Sequence, residues 1–191
     1  MPCLDHFGLL APFYDRVIRA RDTARLAELA GLPIRGRLLD VGGGTGRIAR
    51  FLAGRARQVV VADESWKMLS HTPAGLGLDL AAAHAERLPF PSGEFECVIM
   101  VDVYHHVQDQ AHTLSELLRV CACGGRIVVE EPDIDRFAVK LIALGERLLL
   151  MRSRFRRAEE IAMAFEARGA TASIHREEAT AWIVAEKAGS K

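Results

Sequence analysis

Cysteine and the large aromatic residues are scarce in this chain. It has four cysteines, two tryptophans and two tyrosines among 191 residues. Cys3, Cys97, Cys121 and Cys123 form no C-x-x-C pair, which argues against a metal site or a disulfide framework. Three of them lie in or beside apolar runs, where a free cysteine behaves as a small hydrophobe. The pattern suits a reducing cytoplasm. An excess of one charge is missing as well. The 25 basic and 25 acidic residues cancel, so no global field gathers nucleic acid, and no nucleic-acid partner is expected. Long hydrophobic runs are also lacking. The most apolar stretch, Phe137 to Met151, is broken by Lys140, Glu146 and Arg147, and it is shorter than the roughly 20 residues that cross a bilayer. The opening residues MPCLDHFGLLAPFYD have no basic segment followed by a long apolar one, so no signal peptide is read there. A soluble, cytoplasmic protein is the expectation.

What is present is an alternation. Half of the residues are hydrophobic, enough for a sizeable core, and the length suits one domain. Short β-branched runs alternate with helical segments, the signature of an α/β fold with a mostly parallel sheet. Strands are predicted at 37–41, 59–62, near 80–83, at 97–103 and at 126–130. Helices are predicted at 11–29, 47–53, 65–71, 108–121, 135–152 and 157–168. Gly124 and Gly125 are expected to turn into the fifth strand. Two further strands, 172–176 and 180–186, are separated by a few residues and read as a hairpin. The expected architecture is a single domain with a seven-stranded, mostly parallel sheet, a C-terminal antiparallel hairpin and flanking helices. It divides into an N-terminal helical lid (1–36), a ligand-binding core (37–131) and C-terminal helices with the hairpin (132–191).

The first strand runs into Asp40-Val41-Gly42-Gly43-Gly44-Thr45-Gly46. Glycines let the chain turn sharply and let a ligand approach the backbone. In an open α/β sheet, such a crevice lies beyond the carboxyl ends of the strands. The spacing separates cofactors. A dinucleotide loop needs G-x-G-x-x-G, but Arg47 stands where the third glycine would fall, and the phosphate loop G-x-x-x-x-G-K-[ST] is absent. A nicotinamide-dependent oxidoreductase is therefore disfavoured. Asp63 ends the second strand about twenty residues past the loop, where a carboxylate can accept from both hydroxyls of a ribose. Asp63 or Ser65 could instead cap the following helix.

The segment D-x-G-x-G-x-G resembles the motif of class I S-adenosylmethionine-dependent methyltransferases. Ala85-Glu86-Arg87-Leu88-Pro89-Phe90-Pro91 and the strand after it resemble the "AE-x-LPF-P" stretch of the small-molecule branch. Tyr104-His105-His106-Val107 resembles its "LHHV" segment, and Phe13-Tyr14-Asp15 the "YD" of the ubiquinone/menaquinone methyltransferases. The resemblance implies a Rossmann-like domain using S-adenosylmethionine, with a small-molecule methyl acceptor, quinone-like or otherwise apolar. It implies that Asp40, Gly42, Gly43, Gly44 and Gly46 hold the methionine end. Asp63 and Glu64 would meet the ribose and the adenine face, His84, Ala85 and Glu86 would flank the adenine, and Val101 and Asp102 would reach the methionine end. Two positions depart from the family pattern. His84 stands where an acid usually accepts from the adenine amino group, and Glu64 stands where an apolar residue usually packs on the ring.

Alignment of an already activated methyl group needs no metal and no obligatory nucleophile. A general base matters only if the acceptor must lose a proton. His105 and His106 are the candidates, set against packing in the core or facing solvent. Tyr14 is a further candidate for contact with the cofactor carboxylate or the acceptor. Glu130 and Glu131 close the fifth strand, where helix capping or solvation is the preferred reading. Arg147, Arg152, Arg154, Arg156 and Arg157 form a basic cluster beside Leu148 to Met151. It is a candidate for weak contact with an anionic lipid surface over 147–157, against an ordinary solvated helix end. A non-catalytic methyltransferase-like binding or assembly protein is the rival reading. The oligomeric state is not legible.

Overall fold

The computed structural model of the chain describes residues 20–136 and 153–189. The elements in order are α1 (Ala20–Leu29), β1 (Arg37–Val41), α2 (Ala49–Leu52), β2 (Gln58–Asp63), α3 (Trp66–Leu69), β3 (Leu78–Ala82), β4 (Phe95–Val101), a 3-10 turn (Tyr104–His106), α4 (Gln110–Val120), β5 (Cys121–Pro132), α5 (Ala158–Glu166), β6 (Ala170–Glu177) and β7 (Thr180–Lys187). The strands form one seven-stranded sheet in the order β3-β2-β1-β4-β5-β7-β6. β3, β2, β1, β4 and β5 pair in parallel, and β7 pairs antiparallel with both β5 and β6. The single seven-stranded sheet with a terminal hairpin matches the sequence expectation.

The core is two-sided because the central strands are buried on both faces. Side chains alternate across a sheet, so Leu39, Val41, Val60, Val98, Met100, Ile127 and Val129 meet α4 and α5 on one face. Leu38, Val59, Val61, Cys97, Ile99 and Val128 meet α1, α2 and α3 on the other. Such strands read as continuous apolar runs rather than as alternating ones. Each fully buried aliphatic or aromatic side chain contributes about 1.5–3 kcal/mol relative to exposure. That is why Val59-Val60-Val61 and Val98-Ile99-Met100 were legible as strands.

The chain reverses its direction of sheet growth at β1. It builds outward through β2 and β3, then crosses back to place β4 on the other side of β1. The helices that follow β1 and β4 therefore leave from opposite faces, and a crevice opens above the carboxyl ends of these two strands.

Several boundaries differ from the sequence expectation. The predicted helices at 47–53 and 65–71 shrink to four residues each. β5 begins at Cys121 and includes Gly124 and Gly125, where a turn was expected. Its pairing with β4 jumps from Phe95↔Cys121 to Cys97↔Arg126. The residues between bulge out of the ladder, with Gly124 in the left-handed region at φ 73°. A bulge inserts unpaired residues without ending a strand, which a pattern-based boundary cannot distinguish from a turn. The predicted helix at 135–152 and the part of the first helix before Ala20 lie almost wholly outside the described residues. Among the described residues, no helix is long and apolar enough to cross a membrane.

Candidate functional site

β1 delivers Asp40 and the glycine loop to the rim of the crevice. The loop is laced to β2: the N–H groups of Gly42 and Gly43 both donate to the Ala62 carbonyl, at 2.6 and 3.2 Å. Gly42 has φ 73°, and a Cβ there would sit 2.5 Å from a methyl group of Val103. Only glycine meets both the backbone conformation and the close approach. The loop then turns at Gly44 and Gly46, also at positive φ, into α2.

Asp63 ties the ends of β1 and β2 together. Its Oδ2 accepts from Gly44 N at 2.9 Å and its Oδ1 from Ser65 N at 2.8 Å. Burial pushes its carboxyl above the usual range, while these two backbone donors pull the other way. The helix-capping alternative is settled in favour of Ser65, whose hydroxyl accepts from Met68 N at 3.3 Å. Asp63 is thereby left as a half-buried carboxylate at the strand tip.

Asp40 is fully buried behind the loop. Its carboxyl is pushed up to about 7, first by burial and then by the nearby Asp63 charge, against the opposing effects of Arg47 and the Ala49 N–H. Among the described residues, its Oδ2 has no hydrogen-bond partner, and the same holds for Arg47 Nη1 and for Thr72 Oγ1, the hydroxyl beside Gly46. Buried polar atoms are nearly always paired. Orphans gathered behind a glycine loop point to a polar ligand.

Glu64 and His84 come together across the tips of β2 and β3. Their side chains are about three-quarters exposed, and His84 Nδ1 lies 3.1 Å from Glu64 Oε2. The two departures from the family pattern thus pair with each other. Ala85 packs partly buried against the core. Glu86 turns away to accept from the N–H groups of Gln108 and Asp109, at 2.9 and 3.3 Å, fastening its loop to the start of α4. Val101 is packed in the core. Asp102 follows at φ 56°, a strained conformation for a residue with a side chain, and its N–H donates to the Glu130 carbonyl at 3.0 Å.

The tips of β4 and β5 carry a second polar assembly. His105 is buried, with Nδ1 2.6 Å from Glu131 Oε2. The other oxygen of Glu131 accepts from Tyr104 N at 2.9 Å. His105 stacks on Phe155, with ring centroids 4.4 Å apart and planes inclined by 12°. The His106 ring lies 3.9 Å from the His105 ring, and its Nδ1 is 3.3 Å from Ser153 Oγ. Burial, then the neighbouring His105, pushes His106 down to about 3. Glu130 points to the opposite face of the sheet and accepts from Trp182 Nε1 at 2.7 Å in the core. The expectation of capping or solvation for Glu130 and Glu131 is corrected. Both are buried at the strand end, where a carboxylate must have a donor.

Tyr14 lies outside the described residues, as do Arg147 and Arg152. Arg154, Arg156 and Arg157 contact Gln108, Gln110 with Glu160, and Asp135 respectively. Sequence reasoning missed Phe155, Ser153 and Gln110. They join the site across separations of more than forty residues, except for Gln110, whose side chain donates to the carbonyl groups of Tyr104 and Arg154.

A family model described as "Methyltransferase domain" matches residues 39–129, from the glycine loop through β5. Over these residues the chain is similar to class I S-adenosylmethionine-dependent methyltransferases. It is 36% identical over 114 residues to the ubiquinone/menaquinone biosynthesis C-methyltransferase UbiE of Pseudomonas savastanoi pv. phaseolicola, a match that covers 54% of this chain and 44% of that one. The chain thus matches less than half the length of this curated relative. The fold is shared with YcgJ of Bacillus subtilis, at 16% identity and a TM-score of 0.78, covering 90% of this chain and all of that one. It is shared too with a SAM-dependent methyltransferase of Thermotoga maritima, at 23% identity and a TM-score of 0.76, covering 95% and 97% of the two chains.

The methyl donor of this methyltransferase family is S-adenosylmethionine. The residues present fit it. The cradle at Gly44 is open apart from the ends of the Met68 and Asp63 side chains. A carboxylate stands at the tip of β2, and an unpartnered carboxylate oxygen lies behind the loop.

Proposed function

We propose that this protein binds S-adenosylmethionine over the glycine loop and methylates a small molecule. The observation that carries this reading is the junction of Gly44 and Asp63, with the unpaired Asp40 oxygen behind it. When bound, the cofactor supplies a methyl group already activated on a sulfonium sulfur. The protein's work is placement and exclusion of water, which in ideal cases lowers a barrier by about 7–11 kcal/mol.

In this reading, Gly42, Gly43, Gly44 and Gly46, with Asp40 and Asp102, hold the methionine end. Asp63 accepts from the ribose hydroxyls through its remaining lone pairs. The Glu64–His84 pair and Ala85 border the adenine, and Glu86 supports their loop from behind. Val101 supports the same strand tip from the core. The acceptor meets the tips of β4 and β5 near His105 and His106, with Tyr14 as a further candidate contact. A quinone-like acceptor is favoured by the C-methyltransferase relatives, which carry ubiquinone and menaquinone biosynthesis in their name. Buried free thiols at Cys97 and Cys121 suit a reducing compartment such as the cytoplasm.

Titration calorimetry with S-adenosylmethionine and S-adenosylhomocysteine tests the reading, and absence of binding at about millimolar concentration sinks it. Asp63→Ala is expected to lower the affinity for both by about 1–3 kcal/mol while leaving the fold intact. Unchanged affinity removes Asp63 from the ribose. A second reading, a binding protein that does not transfer methyl groups, is favoured by one observation: His84 engages Glu64 instead of presenting a plain carboxylate toward the adenine side. Binding without methyl transfer to any acceptor in a metabolite screen would support that second reading.

A further inference from the structure

The segment after β3 leaves the sheet beside Asp63, where the Ala83 N–H donates to the Asp63 carbonyl at 3.0 Å, and then runs back along α4. His84 is exposed at its start, beside Glu64. The residues that follow are pinned to α4. Glu86 accepts from the N–H groups of Gln108 and Asp109, just before the helix. Leu88 donates its N–H to Glu116 Oε2 at 2.8 Å. Arg119, one turn further along the same helix, closes a clamp. Its Nη2 donates to the Leu88 carbonyl at 2.9 Å and its Nη1 to the Phe90 carbonyl at 2.7 Å. Its Nε and Nη2 also hold the two oxygens of Glu116, at 2.6 and 2.9 Å. The sequence explains why side chains are needed here. Pro89 and Pro91 have no N–H groups, so the backbone of this stretch has few donors of its own, and a guanidinium fork spans two carbonyl groups at once. The base of the clamp is firm. Leu114 and Leu117 of α4 are fully buried in the core, and Phe90 meets Phe95 edge-on with ring centroids 5.0 Å apart.

We propose that Arg119, braced by Glu116, is a positioning residue for the cofactor: it sets the loop over 84–90 in its ligand-binding shape before S-adenosylmethionine arrives. This inference rests on the reading above, in which His84 and Ala85 border the adenine. Arg119 acts on that border through the backbone of Leu88 and Phe90. The turn that carries His84 and Ala85 is closed by the Arg87 N–H on the His84 carbonyl at 3.0 Å. One side of this turn is tied to the tip of β2 through Ala83, and the clamp fixes the other side at Leu88. A loop already held in one shape loses no binding energy to ordering. Where only a fraction of molecules has the loop in place, the apparent affinity falls by that fraction. The fall appears as slower productive association. Dissociation starts from the complex, in which the loop is in place, and changes little.

The test uses the full chain and S-adenosylhomocysteine, with binding followed by surface plasmon resonance and amide hydrogen exchange measured on the free protein. Arg119→Met keeps an unbranched side chain but none of the donors. It is expected to bind about tenfold more weakly, with the loss in the association rate and the dissociation rate within about twofold of the wild type. Arg119→Lys keeps the charge beside Glu116 but reaches one carbonyl group at a time, and it is expected to fall between the two, about threefold weaker than the wild type. In free Arg119→Met, the Leu88 N–H is expected to exchange about tenfold faster, while the Gly42 N–H, held by the Ala62 carbonyl, keeps its wild-type rate. If Arg119→Met does not fold, Arg119→Lys carries the same rate and exchange measurements. Unchanged affinity in the variants that fold, a loss carried by faster dissociation, or faster exchange at Gly42 as well as at Leu88 overturns the proposal. The two readings fail separately. A wild type that does not bind S-adenosylhomocysteine sinks the methyl-transfer reading, whereas a wild type and an Arg119→Met variant that bind it equally well sink the positioning role alone.

Discussion

The tips of β1 and β2 and the tips of β4 and β5 stand side by side at one end of the sheet, yet they treat buried polar groups in opposite ways. Around the glycine loop, Asp40 Oδ2, Arg47 Nη1 and Thr72 Oγ1 are buried without partners among the described residues. At the tips of β4 and β5, His105 meets Glu131 and Trp182 meets Glu130. There too, Gln110 donates to two carbonyl groups and accepts from Arg156 Nε at 3.1 Å. An unpaired buried group costs about 1–3 kcal/mol, so the first region is held at an energetic disadvantage and the second is internally satisfied. The difference teaches what each is built for. Unsatisfied groups are poised for a ligand that completes them, while satisfied groups hold one another in a set orientation. The two regions meet where Val103, just before the 3-10 turn, touches the space a side chain at Gly42 would need.

The largest expected effect breaks the satisfied side. Gln110→Leu strands the Tyr104 and Arg154 carbonyl groups, and it is expected to cost about 2–4 kcal/mol by urea denaturation. S-adenosylhomocysteine affinity should hardly change, and a large loss of affinity would mean that the two regions are one. The unsatisfied side should answer in the opposite sense. The Asp40 carboxyl is raised from 3.8 to about 7 in the folded protein, so the native state keeps a proton that the unfolded chain releases. The wild type should therefore be most stable at acid pH with respect to this group, losing that stability as pH rises from about 4 to about 7. Asp40→Asn should flatten the loss and be more stable by about 2 kcal/mol above pH 7, while binding S-adenosylhomocysteine about tenfold more weakly. Denaturation at acid and mildly alkaline pH, with calorimetry beside it, checks both halves. The smallest effect is expected at Tyr104→Phe. Among the described residues its hydroxyl makes a long contact, 3.4 Å, with the Gln110 carbonyl, so a loss of about 0.5–1 kcal/mol in thermal or urea unfolding is expected.

Much of the frame was legible in the chain alone. β1 matched its predicted span, because Leu38 and Leu39 lead straight into a glycine cluster. The hairpin of β6 and β7 was legible from two strand-forming runs separated by a short turn. α2 and α3 were overestimated because helical propensity carries no information about where a loop must turn back toward the sheet. The bulge in β5 was read as a turn, since glycines mark both. For the site, the loop and Asp63 could be found by spacing, because a strand, a turn and the next strand lie close in sequence. Glu131 could be named but not understood. Its role depends on His105, 26 residues earlier, and on Phe155, which follows later in the chain.

The sequence by itself determined the class of fold, the place of the crevice and the kind of cofactor loop, because these follow from hydrophobic periodicity and from glycines that no other residue can replace. Only the tertiary structure decided which polar groups are left unpaired and which are completed. Among the described residues, it left one Asp40 oxygen without a partner, joined Glu64 to His84, and set His105 against Glu131 and His106 against Ser153. These outcomes depend on desolvation and on distances of about 3 Å between strand tips, quantities that exist only once the sheet has brought the tips together.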